Sequence, residues 1–395
     1  MTPTITKDDA LLRLGISASS LSLWVKKGLI HPPTHKENRV YYVRAELEDR
    51  AFRSHCNDPV PTLLSPPTPY SVLELFAGAG GMALGLENAG LQSKLLVEIN
   101  KDSVATLRKN RPNWNVVSAD VREIDFSEYR DKVNIVAGGF PCQAFSYAGT
   151  GRGFEDTRGT LFFEFARCVN VVRPEIALGE NVRGLIQHDN GQTLQTMLNT
   201  LDEIGYRPAF TLLRAQFLGV PQKRERLVIL GVRKDLDYPF LFPREQNYTV
   251  SVRQALVDCP PSRGVCYPPR KKYIMDHVRE GGYWRDLPVE LQRSYLGKSY
   301  GTGGGKTGVA RRLSWNEPSL TLTCSPAQKQ TERCHPSETR PLSLREYARI
   351  QTFPDTWEFT GSLGSVYSQI GNAVPPNLAY HIGRSLIGML TSVPQ

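Results

Sequence analysis

A cysteine that directly follows a proline at the end of an apolar run is the residue in this chain best suited to act as a nucleophile. Cys142 stands in Gly138-Gly139-Phe140-Pro141-Cys142-Gln143, after the run VNIVAGG. Such a run reads as a strand buried on both faces. In a doubly wound sheet its C-terminal end would open onto the crevice where these folds bind ligands. A buried structural thiol is the plain alternative. Thiolate chemistry near neutral pH needs positive surroundings, and Arg226 could supply them.

A second chemical centre lies upstream. Leu75-Phe76-Ala77-Gly78-Ala79-Gly80-Gly81 follows the apolar run SVLELF. A glycine-rich turn between strand and helix lets backbone N–H groups approach a ligand. Glu98 ends the next expected strand, where a carboxylate can accept ribose hydroxyls. Asp120 ends a third and could take an adenine amino group. Both could equally be strand-end caps.

The elements that would hold these residues alternate. Strand-like VNIVAGG, EIALGEN and RLVILGV are separated by helix-like LFFEFARCVNVV and TLQTMLNTLDEIG. The pattern predicts a doubly wound, Rossmann-like α/β sheet whose apolar strands run parallel. Catalytic residues 71–243 follow a proline-rich linker, 61–70. Residues 244–338 are irregular and basic. Helical pattern resumes over 339–395 with SLREYARIQTF and NLAYHIGRSLIGML.

These segments, taken in order, resemble the bacterial DNA cytosine C5-methyltransferases. Gly138 to Ser146 resembles the family's Pro-Cys motif, and Phe76 to Gly81 its cofactor loop. Gly179-Glu180-Asn181-Val182 and Gln222-Lys223-Arg224-Glu225-Arg226 resemble its Glu-Asn-Val and Gln-x-Arg-x-Arg motifs. Arg340 to Pro354 and Gln369 to Pro375 are similar to its last two. The resemblance covers roughly residues 70 to 392. It implies a site-specific, S-adenosyl-L-methionine-dependent enzyme of a restriction-modification system, acting on double-stranded DNA as a monomer.

The chemistry explains the residue types. Carbon 5 of cytosine is a poor nucleophile until a thiolate adds to carbon 6. The resemblance gives that attack to Cys142, and protonation at N3 to Glu180, oriented by Asn181. Arg224 and Arg226 suit the base carbonyl and a phosphate. For the cofactor it implies Phe76, Ala77, Gly78, Gly80, Gly81, Glu98, Ile99, Asp120, Val121, Pro141, Leu161, Asn372 and Ala373. Asn372 would close the pocket from the far end of the chain. Ile99 stands where many members have an aromatic residue, and Asn100 where aspartate is common.

A stacked base cannot meet Cys142, so it must leave the duplex. The glycine-rich stretch from Gln143 to Thr160 resembles the family's closing loop; Gln143, Ser146, Arg152 and Arg158 are its candidate DNA contacts. The chain carries a formal net charge of +9, and residues 240–340 hold sixteen Lys/Arg against nine Asp/Glu. That clustering favours a nucleic-acid surface over a solvated basic face. Arg311, Arg312, Gln328, Lys329 and Gln330 are candidates for base edges or phosphates.

Residues 1–60 fall outside the methyltransferase pattern. Thr6 could cap a first helix, and Leu21 to Lys27 forms a second, ended at Gly28. Arg39-Val40-Tyr41-Tyr42 follows. The segment resembles the winged helix-turn-helix of MerR- and excisionase-type regulators. Lys26, Lys27, Lys36 and Arg39 would meet phosphates, with Tyr41 or Tyr42 in the wing. Repression of its own operon, added affinity during methylation, and a protein-interaction role all remain open.

Seven cysteines without a CxxC pair suggest neither a disulfide framework nor a zinc module. No metal is expected, and Cys324, Cys334 and His335 read as ordinary side chains. Without an apolar leader or an eighteen-residue apolar run, a cytoplasmic protein is expected. Two rivals remain: a tRNA cytosine methyltransferase, and a DNA-binding regulator with an inactive catalytic domain.

Overall fold

The computed structural model describes residues 4–8, 18–26, 31–36, 39–43, 60, 62–141, 161–302 and 306–392. Two compact units divide between Pro59 and Val60. The first contains β1 (Thr4–Thr6), α1 (Ala18–Lys26), β2 (Thr34–Lys36) and β3 (Arg39–Val43). β3 runs between β1 and β2, antiparallel to both. Thr6 closes β1 directly before helical residues 7 and 8. Leu21 and Tyr42 are buried, whereas Lys26 is exposed at the end of α1. Lys27 lies outside the described residues, as do the side chains of Lys36 and Arg39.

The second unit is built on a seven-stranded sheet. Its strands are β4 (Ser71–Leu75), β5 (Gln92–Glu98), β6 (Val116–Ser118), β7 (Ile135–Gly138), β8 (Ile176–Val182), β9 (Tyr206–Arg214) and β11 (Glu225–Arg233). The order is β6-β5-β4-β7-β8-β11-β9. The first five are parallel. β11 is antiparallel to both β8 and β9, contrary to the parallel direction expected for RLVILGV. Burial on both faces reports that helices cover a strand; it does not report the strand's direction.

Strand order reverses between β4 and β7, so a crevice opens at their C-terminal ends. α2 (Gly81–Ala89) and α11 (Pro376–Leu390) cover one face of the sheet, around Val72, Leu86, Ile135, Leu178 and Leu386. α4 (Leu161–Val172) and α5 (Gln192–Glu203) cover the other, around Leu73, Val136, Phe165 and Met197. A third core joins α9 (Leu344–Ile350) and α10 (Leu363–Asn372) to Phe353 and Trp357. The irregular segment has its own small core, including Met275, Trp284, Val309 and Cys334. It contains α6 (Val252–Ala255), α7 (Pro269–Asp276), α8 (Val289–Leu296) and β12 (Ser319–Leu320), which pairs in parallel with β10 (Gln222–Lys223).

Small residues let the C-terminal helix dock on the first one. A Cβ on Gly85 would lie 2.3 Å from the Pro376 carbonyl oxygen and 2.4 Å from Ala379 Cβ. One on Gly383 would lie 2.7 Å from Ala89 Cβ. Overpacking costs about 1–3 kcal/mol, and backbone contacts place this site at the upper end. Alanine's helix preference returns only about 1 kcal/mol. Gly85→Ala is therefore expected to lose about 1–2 kcal/mol net, read as a lower midpoint in denaturant unfolding.

Candidate active site

The cofactor-type loop is built by backbone conformations that few residues accept. Gly78 and Gly80 have φ of 54° and 85°, and Phe76 shares the left-handed region at 58°. For a phenylalanine that costs about 1–3 kcal/mol, which surrounding packing must offset. The loop turns its amides toward β5. Gly78 N–H donates to Glu98 Oε2 and Asn100 N–H to Glu98 Oε1, both at 2.7 Å. Glu98 is thus held at both oxygens while still lining the crevice. Asn100 also caps α3 (Lys101–Asn110), accepting from Ser103 N–H.

The crevice is a cavity of about 1110 Å³. Phe76, Ala77, Gly78, Gly81, Glu98 and Pro141 line it together with Glu180, Arg224, Arg226, Asn372 and Ala373. Residues far apart in sequence therefore share one wall. Pro141, the residue before Cys142, is exposed there. Cys142, Gln143, Ser146, Arg152 and Arg158 lie outside the described residues.

Glu180 and Arg226 come from adjacent antiparallel strands. Arg226 pairs with Val182 and Val228 with Glu180, so the two side chains are diagonal neighbours on one face. Arg226 Nε lies 2.7 Å from Glu180 Oε1. Only 8% of Glu180 is exposed. Burial pushes the Arg226 pKa down, and the Glu180 carboxylate opposes that shift. A Cβ at Gly139 would lie 3.2 Å from Glu180 Oε2, so glycine lets the strand end approach the carboxylate. Asn181 does not orient Glu180 by a side-chain hydrogen bond, as was expected. Its Nδ2 donates to the Phe140 carbonyl at 2.9 Å and its Oδ1 accepts from Val182 N–H. It therefore holds the segment that leads into Pro141.

Arg224 also differs from expectation. It is 1% exposed, and its guanidinium donates to the carbonyls of Leu322, Gly371 and Ala373 at 3.2, 3.2 and 3.0 Å. Its terminal nitrogens are spent on the protein rather than offered to a base or phosphate. Burial beside Arg226 pushes its pKa down. Gln222 and Gln351 complete the knot. Gln222 accepts from Leu322 N–H and donates to Gln351, which donates to the carbonyls of Ile370 and Ala373. A Cβ on Gly371 would lie 2.2 Å from the Thr323 carbonyl oxygen, and one on Gly81 2.2 Å from that of Val374. The chain's return thus packs on the start of α2, just after the glycine loop, and Asn372 Oδ1 accepts from Cys324 Sγ at 3.0 Å.

Several expected cofactor residues stay outside the cavity lining. Asp120 accepts from Arg122 N–H, Nε and Nη2, and these hydrogen bonds hold its carboxyl down at about 2. Val121 and Gly80 serve packing: Val121 joins the α4-side core, and Gly80 abuts Leu107 and Trp357. Leu161 starts α4 against that core, and Ile99 is 64% exposed. Arg312 is 5% exposed and donates to the carbonyls of Met275, Val278, His335 and Glu338 and to Thr339. It knits the irregular segment together and has no donor left for DNA. Lys329 donates to the Tyr295 carbonyl, while Gln328 and Gln330 are exposed.

One cavity residue was not singled out from the sequence. Glu74, in the middle of β4, lines the crevice at 1% exposure. Among the described residues neither carboxyl oxygen has a hydrogen-bond partner. Burial pushes its pKa well up, and nearby Glu98 adds to the shift. An acid inside an otherwise apolar SVLEL run was the only available clue, and apolar strands often tolerate one.

The profile of the C-5 cytosine-specific DNA methylase family matches residues 70–388. Type II methyltransferase M.Eco47II of Escherichia coli is 53% identical over 398 residues, covering 96% of this chain and 94% of its own. Type II methyltransferase M.PspPI of Psychrobacter sp. is 50% identical over 399 residues, with coverages of 97% and 95%. Both alignments necessarily extend into residues 1–59. A crystal structure of a Spodoptera frugiperda DNMT2 mutant superposes with a TM-score of 0.58 over 80% of this chain and 99% of that one. At 17% identity it supports the Rossmann-like methyltransferase fold alone.

Each orphaned buried acceptor costs about 1–3 kcal/mol, and relief of a buried guanidinium offsets part of that. Arg224→Met is therefore expected to lose about 2–4 kcal/mol in denaturant unfolding. Glu74 gives a pH signature. Its folded pKa is raised, so its contribution is fully present below the usual carboxylate range and fades as pH rises. Against wild type, Glu74→Gln should gain more unfolding free energy at pH 8 than at pH 5. An equal difference at both pH values would refute a buried, unpaired carboxyl.

Proposed function

The chain belongs to the C-5 cytosine-specific DNA methylase family, and from that premise we propose that it methylates carbon 5 of one cytosine in a short duplex site. In this reading it is the modification enzyme of a type II restriction-modification system, acting as a monomer with S-adenosylmethionine. The observation that carries the proposal is the Glu180–Arg226 pair, which faces the same cavity as Glu98, Phe76 and Pro141.

The residues fit the cofactor. Glu98, held by two amides, retains lone pairs for ribose hydroxyls, and Phe76 offers a ring to adenine. Glu74 is a buried acid without a partner, and a cationic ligand end is what would compensate it. Bound S-adenosylmethionine supplies the methyl group.

The chain's own residues act on the base. A flipped cytosine enters beside Glu180 and Arg226. The Cys142 sulfur forms a bond to carbon 6, and the ring electron pair moves toward N3, where Glu180 delivers a proton. Arg226 stabilises the carbonyl side and keeps Glu180 in place. Carbon 5, now enamine-like, takes the methyl group. After methyl transfer the N3 proton returns to Glu180, and loss of the carbon 5 proton to water restores the ring double bond and expels the thiolate.

Methylation of duplex DNA by purified protein, mapped at base resolution, is expected to show 5-methylcytosine at one short motif. Cys142→Ala should abolish it. Glu180→Gln should lower kcat by about 10²–10⁴-fold while leaving calorimetric binding of S-adenosylmethionine unchanged. Unmodified DNA beside methylated tRNA would overturn the proposal.

We propose further that residues 1–59 form a second DNA-binding unit, with α1 as the groove helix and the β2–β3 hairpin as the wing, acting on the promoter of its own operon. Its support is the exposed Lys26 at the end of a short helix beside an antiparallel hairpin. Lys26→Glu with Lys27→Glu should weaken binding to upstream operon DNA without slowing methylation of a short duplex. Equal losses in both assays would indicate an affinity role only.

A further inference from the structure

Arg311 and Arg312 are indistinguishable in the sequence, but their surroundings differ. Arg312 spends its guanidinium on four carbonyls and a hydroxyl. Arg333, distant in sequence but bonded through Cys334 to the same stretch, spends its own guanidinium on the carbonyls of Thr321 and Glu332. Arg311 is half-buried and, among the described residues, its side chain makes no hydrogen bond or ion pair. Its Cζ stands 5.8 Å from the centroid of the Tyr283 ring, and its Nε is buried without a partner.

Its location matters as much as its spare donors. The Arg311 carbonyl accepts from Cys334 N–H, next to Arg333, which grips the cavity-lining segment at Thr321. Arg311 is also within electrostatic reach of Glu317, whose carboxylate pairs with Lys223 on the cavity wall. An arginine with spare donors thus stands beside a ring, in a segment bonded to the lining of the cavity proposed to receive the flipped base.

We propose that Arg311 reads a guanine in the recognition site. With Nε buried and the guanidinium beside the Tyr283 ring, the two terminal nitrogens remain to form a fork. Guanine presents two acceptors, O6 and N7, on one major-groove edge at matching spacing. A phosphate would need charge alone, which lysine also provides. Other cations on rings differ: Arg285 on Trp284 and Arg293 on Tyr300 are exposed, and Lys306 is tied to the carbonyls of Ser299 and Thr302.

The inference rests on the proposed DNA methylation. Its test is a duplex library randomised around the cytosine that the wild-type protein methylates, read at base resolution after reaction with wild type, R311K and R311Q. Thermal midpoints establish that each variant is folded. R311K is expected to lose about 10- to 100-fold discrimination at one G·C pair while keeping its preferences elsewhere. R311Q should lose the same guanine preference, and serves alone should R311K fail to fold. Wild-type specificity in a folded R311K, or an even loss of methylation across the library, overturns the assignment and makes Arg311 a neutral or phosphate-binding residue. A wild-type protein that methylates no library member would instead sink the function itself.

Discussion

A buried guanidinium with three carbonyl partners holds the catalytic unit of this protein together. Arg224 binds Leu322 at the edge of the irregular segment and Gly371 and Ala373 in the C-terminal return. Gln222 and Gln351 bond the same stretches from the other side. A charge is costly to remove from water, and such a site persists only when its donors find acceptors. Once they do, breaking any strand of the knot orphans buried groups in the others. The cofactor loop inherits this order, because Gly81 packs directly on the Val374 carbonyl.

Against that frame the cavity sets two acids in opposite environments. Glu180 is compensated by Arg226 across adjacent strands, at 2.7 Å. Glu74, more fully buried on the inner strand β4, faces the same space without a hydrogen-bond partner among the described residues. Burial without a partner pushes the Glu74 pKa up, whereas Arg226 gives Glu180 a counter-charge.

The basic segment uses its arginines in two ways. Arg312 and Arg333 replace the regular ladders that an irregular chain lacks, by donating to backbone carbonyls. Their charge contributes to the sequence's basic cluster, yet their donors are unavailable to a partner. Others stand on aromatic rings at the rim of a small core, as Arg311 does on Tyr283 and Arg285 on Trp284. Counting cations therefore measures the segment's charge without identifying which residues have donors free for a partner.

The sequence alone determined the Rossmann-like sheet, the glycine loop and Glu98 at a strand end, whereas the meeting of Phe76, Glu180, Arg226 and Asn372 around one cavity was implied only by the family resemblance. The first three features are local, or repeat with the period of a strand or helix, so composition and spacing encode them. Tertiary structure decided the rest. It turned β11 antiparallel, diverted Arg224 and Arg312 to backbone carbonyls, spent Asp120 on Arg122, and left Glu74 unpartnered in the cavity. The type of a polar side chain states what it can donate or accept. Which partner it meets depends on long-range packing, and burial then makes that choice energetically binding.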